Sequence, residues 1–386
     1  MKILKLIFKN TLRHKLRTVL TIFGISIAVI AFGILRTVVT AWYSSVSAAS
    51  ANRLIVRQSV SFIFPLPYSY LEKITQVPGV KDVTFANWFG GTYIDKNNFF
   101  ARLAVNADNY FDVYKEFVVP KDQLETFKKE RNSCVIGSDI AKKYNIKLGD
   151  VMTLDGDIYP GRWEFVVRGI YQPKFKSTDA MQMFFHWSYL DETMKKEMPG
   201  RAGDVGWYVV LINDPLQSAS ISDQIDALFK NSSAETKTET EAAFQQGFIQ
   251  SSSAIITSMN FISFVIIGII MLVLGNTMIM SARERTREYA VLKTLGFSGK
   301  HLAGIILGES LLISILGGGV GLLFTYPIIK GFSQFIPKGI FPVFEIEPIT
   351  VVLACSSAII IGIVASLFPI QRALSTKIVD GIRFTG

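Results

Sequence analysis

Four long, largely apolar stretches divide this chain, and one long segment of mixed character lies between the first two. The stretches cover residues 18–42, 252–282, 302–329 and 349–371. Each is at least as long as the roughly 20 residues that an α-helix needs to cross a bilayer. The pattern predicts an α-helical membrane protein with four transmembrane helices, plus a mixed α/β extracytoplasmic domain between helices one and two, at residues 43–251.

Short alternating or apolar runs within residues 43–251 predict the elements of that domain. Strands are predicted at 54–56, 165–167 and 207–212, and helices at 68–77 and 221–229. An inserted lobe is expected at about 105–200, and the polar stretch 231–241 is expected to be a loop. Aromatic residues cluster in the expected lobe, where core packing is favoured over a contact surface for a partner; these are Tyr159, Trp163, Tyr171, Phe175, Phe184, Phe185 and Trp187.

The charge distribution predicts which side of the membrane each connecting segment occupies. The 386 residues carry a formal charge of +9, and basic residues dominate segments 1–17, 283–301 and 372–386. By the positive-inside rule, these three segments and both termini are cytoplasmic, and 330–348 is an outer loop. Residues 1–17 predict an amphipathic helix on the membrane surface, with a signal peptide as the alternative. Basic charge placed beside membrane spans argues against nucleic-acid binding.

A densely charged segment follows the second apolar stretch. It contains Arg283, Glu284, Arg285, Arg287 and Glu288 within six residues. At the angular spacing of an α-helix, the next apolar residues, Val291, Leu292 and Leu295, share one face, and Lys293 lies opposite. Gly296 provides a helix stop. The segment predicts a short cytoplasmic helix whose apolar stripe fits a groove on another protein.

These residues resemble a family signature. The run from Glu284 to Glu288, then Leu292-Lys293-Thr294-Leu295-Gly296, and later Glu309 and Gly317-Gly318, is similar to that of FtsX-like, MacB-type ABC transporter permeases. In that family the short helix is a coupling helix that docks on an ATPase. The resemblance therefore implies an ATPase-coupling role for Arg283, Glu284, Arg285, Arg287, Glu288, Val291, Leu292, Lys293, Leu295 and Gly296.

Catalytic and cofactor motifs are missing from the sequence. Gly299-Lys300 is followed by His301 and lacks the upstream glycine of a Walker A loop. Cys134 and Cys355 fall in an aqueous segment and an apolar span, so they make poor disulfide partners. We expect a non-catalytic permease that binds no cofactor or metal itself. The resemblance implies that ATP and Mg²⁺ act through an ATPase on a separate chain.

Polar and small residues within the third span suggest structural roles. Glu309 is an acid inside an apolar stretch, and an ion pair with Lys300 or Arg283 is favoured over a proton relay. Small residues at helical spacing allow close helix contact in lipid. The predicted helix-packing residues are Gly304, Gly308, Gly317, Gly318 and Gly321.

Three functions remain open from the sequence. The first is a permease subunit of an ABC transporter, a homodimer or paired with a homologous permease, that exports a peptide, lipoprotein, lipid or amphiphilic drug. The second is a non-transporting, ATP-driven regulator of a cell-envelope hydrolase. The third is a membrane-anchored enzyme, which the missing motifs disfavour. The expected location is the bacterial cytoplasmic (inner) membrane, with the domain in the periplasm or extracellular space and a periplasmic adaptor, carrier or hydrolase as a further partner.

Overall fold

The computed structural model describes residues 2–11, 13–96, 98–251, 253–333 and 343–375. The chain divides into two compact units. The membrane unit is built from described residues within 1–40, 252–335 and 344–386, and the outer domain is built mainly from Ala41–Ser251.

Most of the membrane unit is helical, whereas the outer domain mixes helices and strands. In chain order the helices are α1 Lys2–Thr11, α2 Lys15–Ala48, α3 Tyr70–Thr75, α4 Tyr110–Val113, α5 Lys121–Lys129, α6 Ser138–Tyr144, α7 Trp187–Glu197, α8 Ser218–Leu228, α9 Glu241–Ser251, α10 Ser253–Glu284, α11 Thr286–Thr294, α12 Gly299–Ser333 and α13 Pro348–Ser375. The strands are β1 Arg53–Gln58, β2 Leu66–Pro67, β3 Val80–Trp88, β4 Ala101–Val105, β5 Phe117–Val118, β6 Ser133–Gly137, β7 Val151–Gly156, β8 Gly161–Pro173, β9 Gln182–His186, β10 Asp204–Val205, β11 Trp207–Ile212 and β12 Thr236–Thr240.

Within the described residues, four helices are long and apolar enough to cross a membrane: Lys15–Tyr43 of α2, then α10, α12 and α13. Together with the α/β domain between the first two, they confirm the predicted fold class. The helices extend beyond the apolar stretches: α2 begins at Lys15 rather than residue 18, and α12 at Gly299 rather than 302. Backbone hydrogen bonding continues past the point where side chains become polar.

Two glycines of α12 bring that helix close to α2. A Cβ atom at Gly317 would lie 2.7 Å from the Ile25 Cβ, and one at Gly321 would lie 2.8 Å from the Ser26 carbonyl oxygen. The Ser26 hydroxyl donates a 2.9 Å hydrogen bond to the Gly317 carbonyl across this contact. These contacts match the close approach that small residues permit between helices in lipid.

The other predicted packing glycines behave differently from one another. A Cβ atom at Gly318 would meet Ala358 of α13 at 2.9 Å, and one at Gly308 would meet Ile7 of α1 at 2.6 Å. Among the side chains that the structure describes, none lies within 4 Å of a Cβ atom built at Gly304. Its assignment to helix packing therefore stays a prediction, because four-residue spacing does not ensure that a neighbour lies opposite.

In the described part of the outer domain, one mixed sheet has the order β12-β1-β11-β3-β4-β9-β6-β8-β5, and β7 pairs with β8. The pairs β4–β9 and β6–β8 are parallel, and the others are antiparallel. A separate two-stranded sheet joins β2 and β10. Buried residues of α3, α8 and both halves of the large sheet share one hydrophobic core.

The expected inserted lobe at about 105–200 is not a separate body. Strand β4 pairs with β3 on one side and with β9 on the other, so the strands of the segment continue the same sheet. Val83 of β3 lies outside this segment and Phe185 of β9 lies inside it, yet both belong to the same hydrophobic cluster. The continuity arises because β4 and β9 are almost wholly buried, and a buried strand needs hydrogen-bonding partners along its edges.

The stretch 231–241, expected to be a loop, contains the edge strand β12. Its Thr residues alternate with charged ones, and Thr236 and Thr238 are buried. The Asp226 carboxylate accepts hydrogen bonds from the Thr236 hydroxyl at 2.8 Å and from the Thr238 hydroxyl at 2.7 Å. A partly buried carboxylate acceptor thus allows a polar segment to pair as a strand.

Six of the seven aromatic residues in the predicted cluster are buried, as core packing requires. Phe175 differs, because 57% of its surface is exposed. It lies beside a cleft that is described below.

Candidate functional site

The charged segment forms a separate short helix, α11, after a break in the backbone. Helix α10 ends at Glu284, Arg285 has a non-helical conformation, and α11 begins at Thr286. Its end is closed by two hydrogen bonds: the Gly296 amide donates to the Lys293 carbonyl at 3.1 Å, and the Phe297 amide donates to the Leu292 carbonyl at 3.0 Å. Gly296 adopts φ +89°, which a residue with a side chain rarely adopts. This pair of bonds is a Schellman motif, so glycine is required at this position.

Arg285 and Glu309 form a buried ion pair between the α10–α11 junction and α12. The Arg285 Nη1 lies 2.8 Å from the Glu309 Oε2, and their side chains are 7% and 6% exposed. The Arg285 Nε also donates to the Glu288 Oε2 at 3.0 Å, and the guanidinium lies over the Tyr289 ring. The sequence correctly suggested an ion pair for Glu309 but named the wrong base, since the backbone break turns Arg285 toward the bundle.

A second set of ion pairs connects the end of α10 and the start of α11 to the first turn of α2 and the residues just before it. Arg17 donates to both carboxylate oxygens of Glu284, at 2.6 and 2.8 Å, and Arg13 is hydrogen-bonded to Glu288. Burial alone would raise the pKa of Glu288, but the hydrogen bonds from Arg13 and Arg285 hold it below its ordinary value. Glu284 at the end of α10 therefore binds α2, and Glu288 of α11 binds the turn that precedes α2.

Sequence reasoning missed these partners, although a signal was present. Arg13 and Arg17 are four residues apart, and so are Glu284 and Glu288. Two neighbouring segments that carry opposite charges at matching spacing can form two ion pairs at once. The buried Tyr289, which packs into the hydrophobic cluster of the membrane unit, was also missed.

Lys293 connects α11 to the end of α13. Its Nζ donates 3.0 Å hydrogen bonds to the carbonyl oxygens of Ala373 and Leu374. Carbonyls in the last turn of a helix have no partner within the helix, and a cation there also interacts favourably with the helix dipole. Lys293 thus caps α13.

Part of the surface of α11 and the residues just after it is apolar and exposed in this chain. Val291 and Leu295 are 44% and 70% exposed, and Phe297 just beyond the helix is also exposed. Arg283 and Arg287 lie exposed at the other end of the segment. Leu292 was predicted to share this apolar surface, but it is partly buried and packs against the membrane unit's core. The uncovered apolar surface is therefore formed by Val291, Leu295 and Phe297.

The arrangement consists of ion pairs and an exposed apolar surface. Among the described residues, no group of His, Cys, Asp and Glu side chains could hold a metal ion. Cys134 is buried, and burial raises the pKa of its thiol well above the ordinary value, so it is a poor nucleophile.

Two known protein families together match most of the chain. Residues 18–228, more than half of the chain, match the family described as MacB-like periplasmic core domain. Residues 260–378 match the family described as FtsX-like permease C-terminal. The first match covers most of the outer domain, and the second covers α11 and the surrounding spans.

Individual relatives are similar at low identity. An uncharacterised ABC transporter permease of Methanocaldococcus jannaschii is 23% identical over 82% of this chain and 80% of its own length. The lipoprotein-releasing system transmembrane protein LolC of Haemophilus influenzae is 21% identical over 65% of this chain and 64% of its own length. The macrolide export ATP-binding/permease protein MacB of Pasteurella multocida is 33% identical over 33% of this chain, which spans only 19% of that longer protein.

Proposed function

Because this chain belongs to the MacB-like, FtsX-like family of ABC transporter permeases, we propose that it couples ATP hydrolysis by an ATPase on a separate chain to movement of its own outer domain. Permeases of this family work with ATPase partners, and the two functions are combined in the name of the Pasteurella relative. ATP and Mg²⁺ would be bound by the partner.

The exposed apolar edge of α11 is the observation that carries this proposal. Val291, Leu295 and Phe297 form a small apolar surface beside exposed arginines. Such a surface with a charged rim is typical of a protein contact. Behind it, Arg285 binds α12, Lys293 binds α13, and Glu288 binds Arg13 just before α2, so a push on α11 would move those elements with it.

The ion pairs also support the proposed sidedness. Arg13 and Arg17 beside Glu288 and Glu284 place the start of α2 next to α11, and Lys293 places the end of α13 there too. Three basic segments therefore meet at one end of the membrane unit, and basic segments favour the cytoplasmic side. Both termini would be cytoplasmic, and the membrane would be the cytoplasmic (inner) membrane.

The cargo that we propose is an amphiphilic molecule taken up outside the membrane. The relatives' names refer to macrolide export and to lipoprotein release. Glu309 in the third span is neutralised by Arg285 and provides no open polar path across the membrane. We therefore favour extrusion of a peptide, lipoprotein, lipid or drug by the moving outer domain, with two copies or a homologous pair forming the transporter.

The docking edge is tested by placing a charge on it. Leu295→Asp and Val291→Asp, in full-length protein co-expressed with the partner ATPase, should abolish co-purification of the ATPase and cargo-stimulated ATP hydrolysis. Leu216→Asp is the matched control, since Leu216 is a fully exposed leucine in the outer domain. Wild-type ATPase coupling in the Leu295→Asp variant would refute the docking assignment.

Sidedness is tested by labelling a single cysteine. In a variant lacking Cys134 and Cys355, Arg287→Cys should react with a membrane-impermeant maleimide only after the cells are opened. Labelling of intact cells would place α11 on the outer side and end the proposal.

A further inference from the structure

The outer domain contains a large cleft that the proposed docking of the ATPase does not use. Its volume is about 820 Å³, within the range of roughly 300–1,000 Å³ that is typical of ligand pockets. It lies on the sheet face opposite the main core, where Ile55 and Val209 meet the α4–β5 segment and α9. All of its walls belong to one compact domain.

Two carboxylates in the wall of this cleft share one guanidinium. The Arg53 Nε lies 2.8 Å from the Glu241 Oε2, while the Arg53 Nη2 lies 2.6 Å from the Glu116 Oε1. Burial alone lowers the pKa of Arg53, but the two carboxylates raise it above its ordinary value, so Arg53 is charged. The group therefore has one negative charge in excess. An unbalanced charge held away from water is costly, and a cation beside it would relieve that cost.

The remaining walls are suited to an apolar body. Trp207, Phe244 and Tyr114 line the cleft and are each partly exposed, and Phe175 stands at its side with more than half of its surface uncovered. Aromatic faces bind flat apolar groups and also attract cations.

An anionic ligand fits less well. The basic residues besides Arg53 that line the cleft are Lys81 and Lys115, and both are exposed. Attraction to exposed ammonium groups is weakened by water and salt. Asp112 and Asp179 also line the cleft, so carboxylates outnumber basic groups in its lining.

We propose that this cleft binds amphiphilic amines, with the protonated amine beside Glu116 and Glu241 and the apolar body against Trp207, Phe244 and Phe175. The inference deepens the proposed function, on which it rests, by assigning a site and a charge to the cargo. Glu241 also accepts a 2.8 Å hydrogen bond from the Ser50 amide, so the site includes the points where the chain enters and leaves the domain. A bound amine would therefore contact Glu241, the carboxylate that links Ser50 to the start of α9.

Three matched fluorescent probes test the charge preference. Dansylcadaverine carries an amine, its N-acetyl derivative is neutral, and dansyl-6-aminohexanoic acid is anionic. Binding to full-length protein in lipid nanodiscs is measured by energy transfer from tryptophan, with empty nanodiscs subtracted. We expect the amine to bind about tenfold more tightly than the neutral probe, the effect of roughly one buried charge contact. Equal binding of the two probes would overturn the proposal.

Two variants locate the site. Glu116→Gln keeps an acceptor for Arg53 but removes the excess charge, so the preference for the amine should fall to about twofold or less. Glu72→Gln, an exposed position outside the cleft, should change nothing. Phe175→Ser should weaken all bound probes about fivefold, and its control is Phe64→Ser, exposed and outside the cleft. A preference that survives Glu116→Gln, or binding unaffected by Phe175→Ser in folded protein, would refute this site.

Competition identifies the source of the amine. Displacement of dansylcadaverine by Phe-Leu amide, but not by its N-acetylated form, would support the site as a receptor for peptide N-termini. Failure of both peptides, with the amine preference intact, would support it as a site for small amphiphiles. The assay uses neither ATP nor the ATPase, so its result is independent of whether α11 docks as proposed.

Discussion

Arg285 and Glu309 face one another across the α10–α11 junction and α12, with 2.8 Å between Nη1 and Oε2. Both side chains are almost fully buried. A buried pair of this kind contributes little net stability compared with apolar residues, but breaking it by removing one partner is costly. The pair therefore fixes the position of α11 rather than serving mainly as a source of stability.

Removing one charge of this pair should destabilise the membrane unit. Glu309→Leu leaves Arg285 buried with only the half-exposed Glu288, and we expect a loss of about 3 kcal/mol. The double variant Arg285→Met with Glu309→Leu should recover most of it. Thermal unfolding of all three proteins in one detergent provides the double-mutant cycle. Additive losses in the double variant would mean that the two residues are not energetically coupled.

Exchanging charges between the end of α10 and the start of α2 should be tolerated only as a pair. Arg17→Glu faces Glu284 with a like charge and should reduce ATPase coupling, with a stability cost of about 1 kcal/mol or less at this exposed position. Adding Glu284→Arg restores the attraction and should restore coupling. The measurement is cargo-stimulated ATP hydrolysis in reconstituted protein. An unrescued double variant would show that the identities of these residues matter more than their pairing.

Leu292 and Leu295 should respond differently to the same substitution. Leu292→Asp puts a charge into the membrane unit's core and should lower its unfolding temperature, with a cost of about 2 kcal/mol or more. Leu295→Asp changes a mostly exposed side chain and should leave that temperature unchanged. Parallel thermal scans check this. Equal unfolding temperatures for the two variants would contradict the side-chain orientation of α11.

Two glycines on one helix provide a matched test of helix contact. Gly321→Val introduces carbon atoms against the Ser26 carbonyl and Val29, and overpacking of this kind costs about 1–3 kcal/mol. Gly304→Val meets no neighbour among the described side chains and should stay within about 0.5 kcal/mol of the wild type. The readout is the unfolding temperature in detergent. A larger loss at Gly304 would contradict the contact between α2 and α12.

Asp179 should make the stability of the outer domain pH-dependent. Burial raises the pKa of Asp179 to about 6, against hydrogen bonds from the Met181 amide and the Gln182 side chain, from an ordinary value of 3.8. The folded state therefore binds the proton more tightly than the unfolded state. The free energy of unfolding should fall as pH rises from about 4 to about 6 and then level off.

Asp179→Asn should remove that fall, because the amide cannot ionise yet still offers an oxygen to the Met181 amide. The variant should gain on the order of 2 kcal/mol over the wild type at about pH 7.5 and almost nothing at about pH 4. Urea unfolding followed by tryptophan fluorescence measures both. A wild-type pH profile in the variant would count against a buried carboxyl here.

The sequence predicts features that depend on local pattern and composition. Apolar length alone identifies the four spans, because the bilayer requires about 20 apolar residues in each. Gly296 identifies the end of α11, because the Schellman turn needs a positive φ there. Both rules depend only on residues that are neighbours in the sequence.

Features that depend on distant partners could not be obtained in the same way. Whether Glu309 pairs with Arg283, Arg285 or Lys300 depends on how the chain turns at a single non-helical residue. Likewise, residues 236–240 become a strand because β1 and Asp226 offer partners for them. No spacing rule distinguishes Gly304 from Gly308, since the difference lies in which helix faces each glycine.

The hydrogen bond between the Ser50 amide and the Glu241 carboxylate brings together residues about ten positions from either end of the outer domain. A domain whose ends are adjacent can be exchanged as a cassette, because a replacement needs to match only one short gap. The outer domain is therefore a unit that can be replaced without compensating changes along the spans.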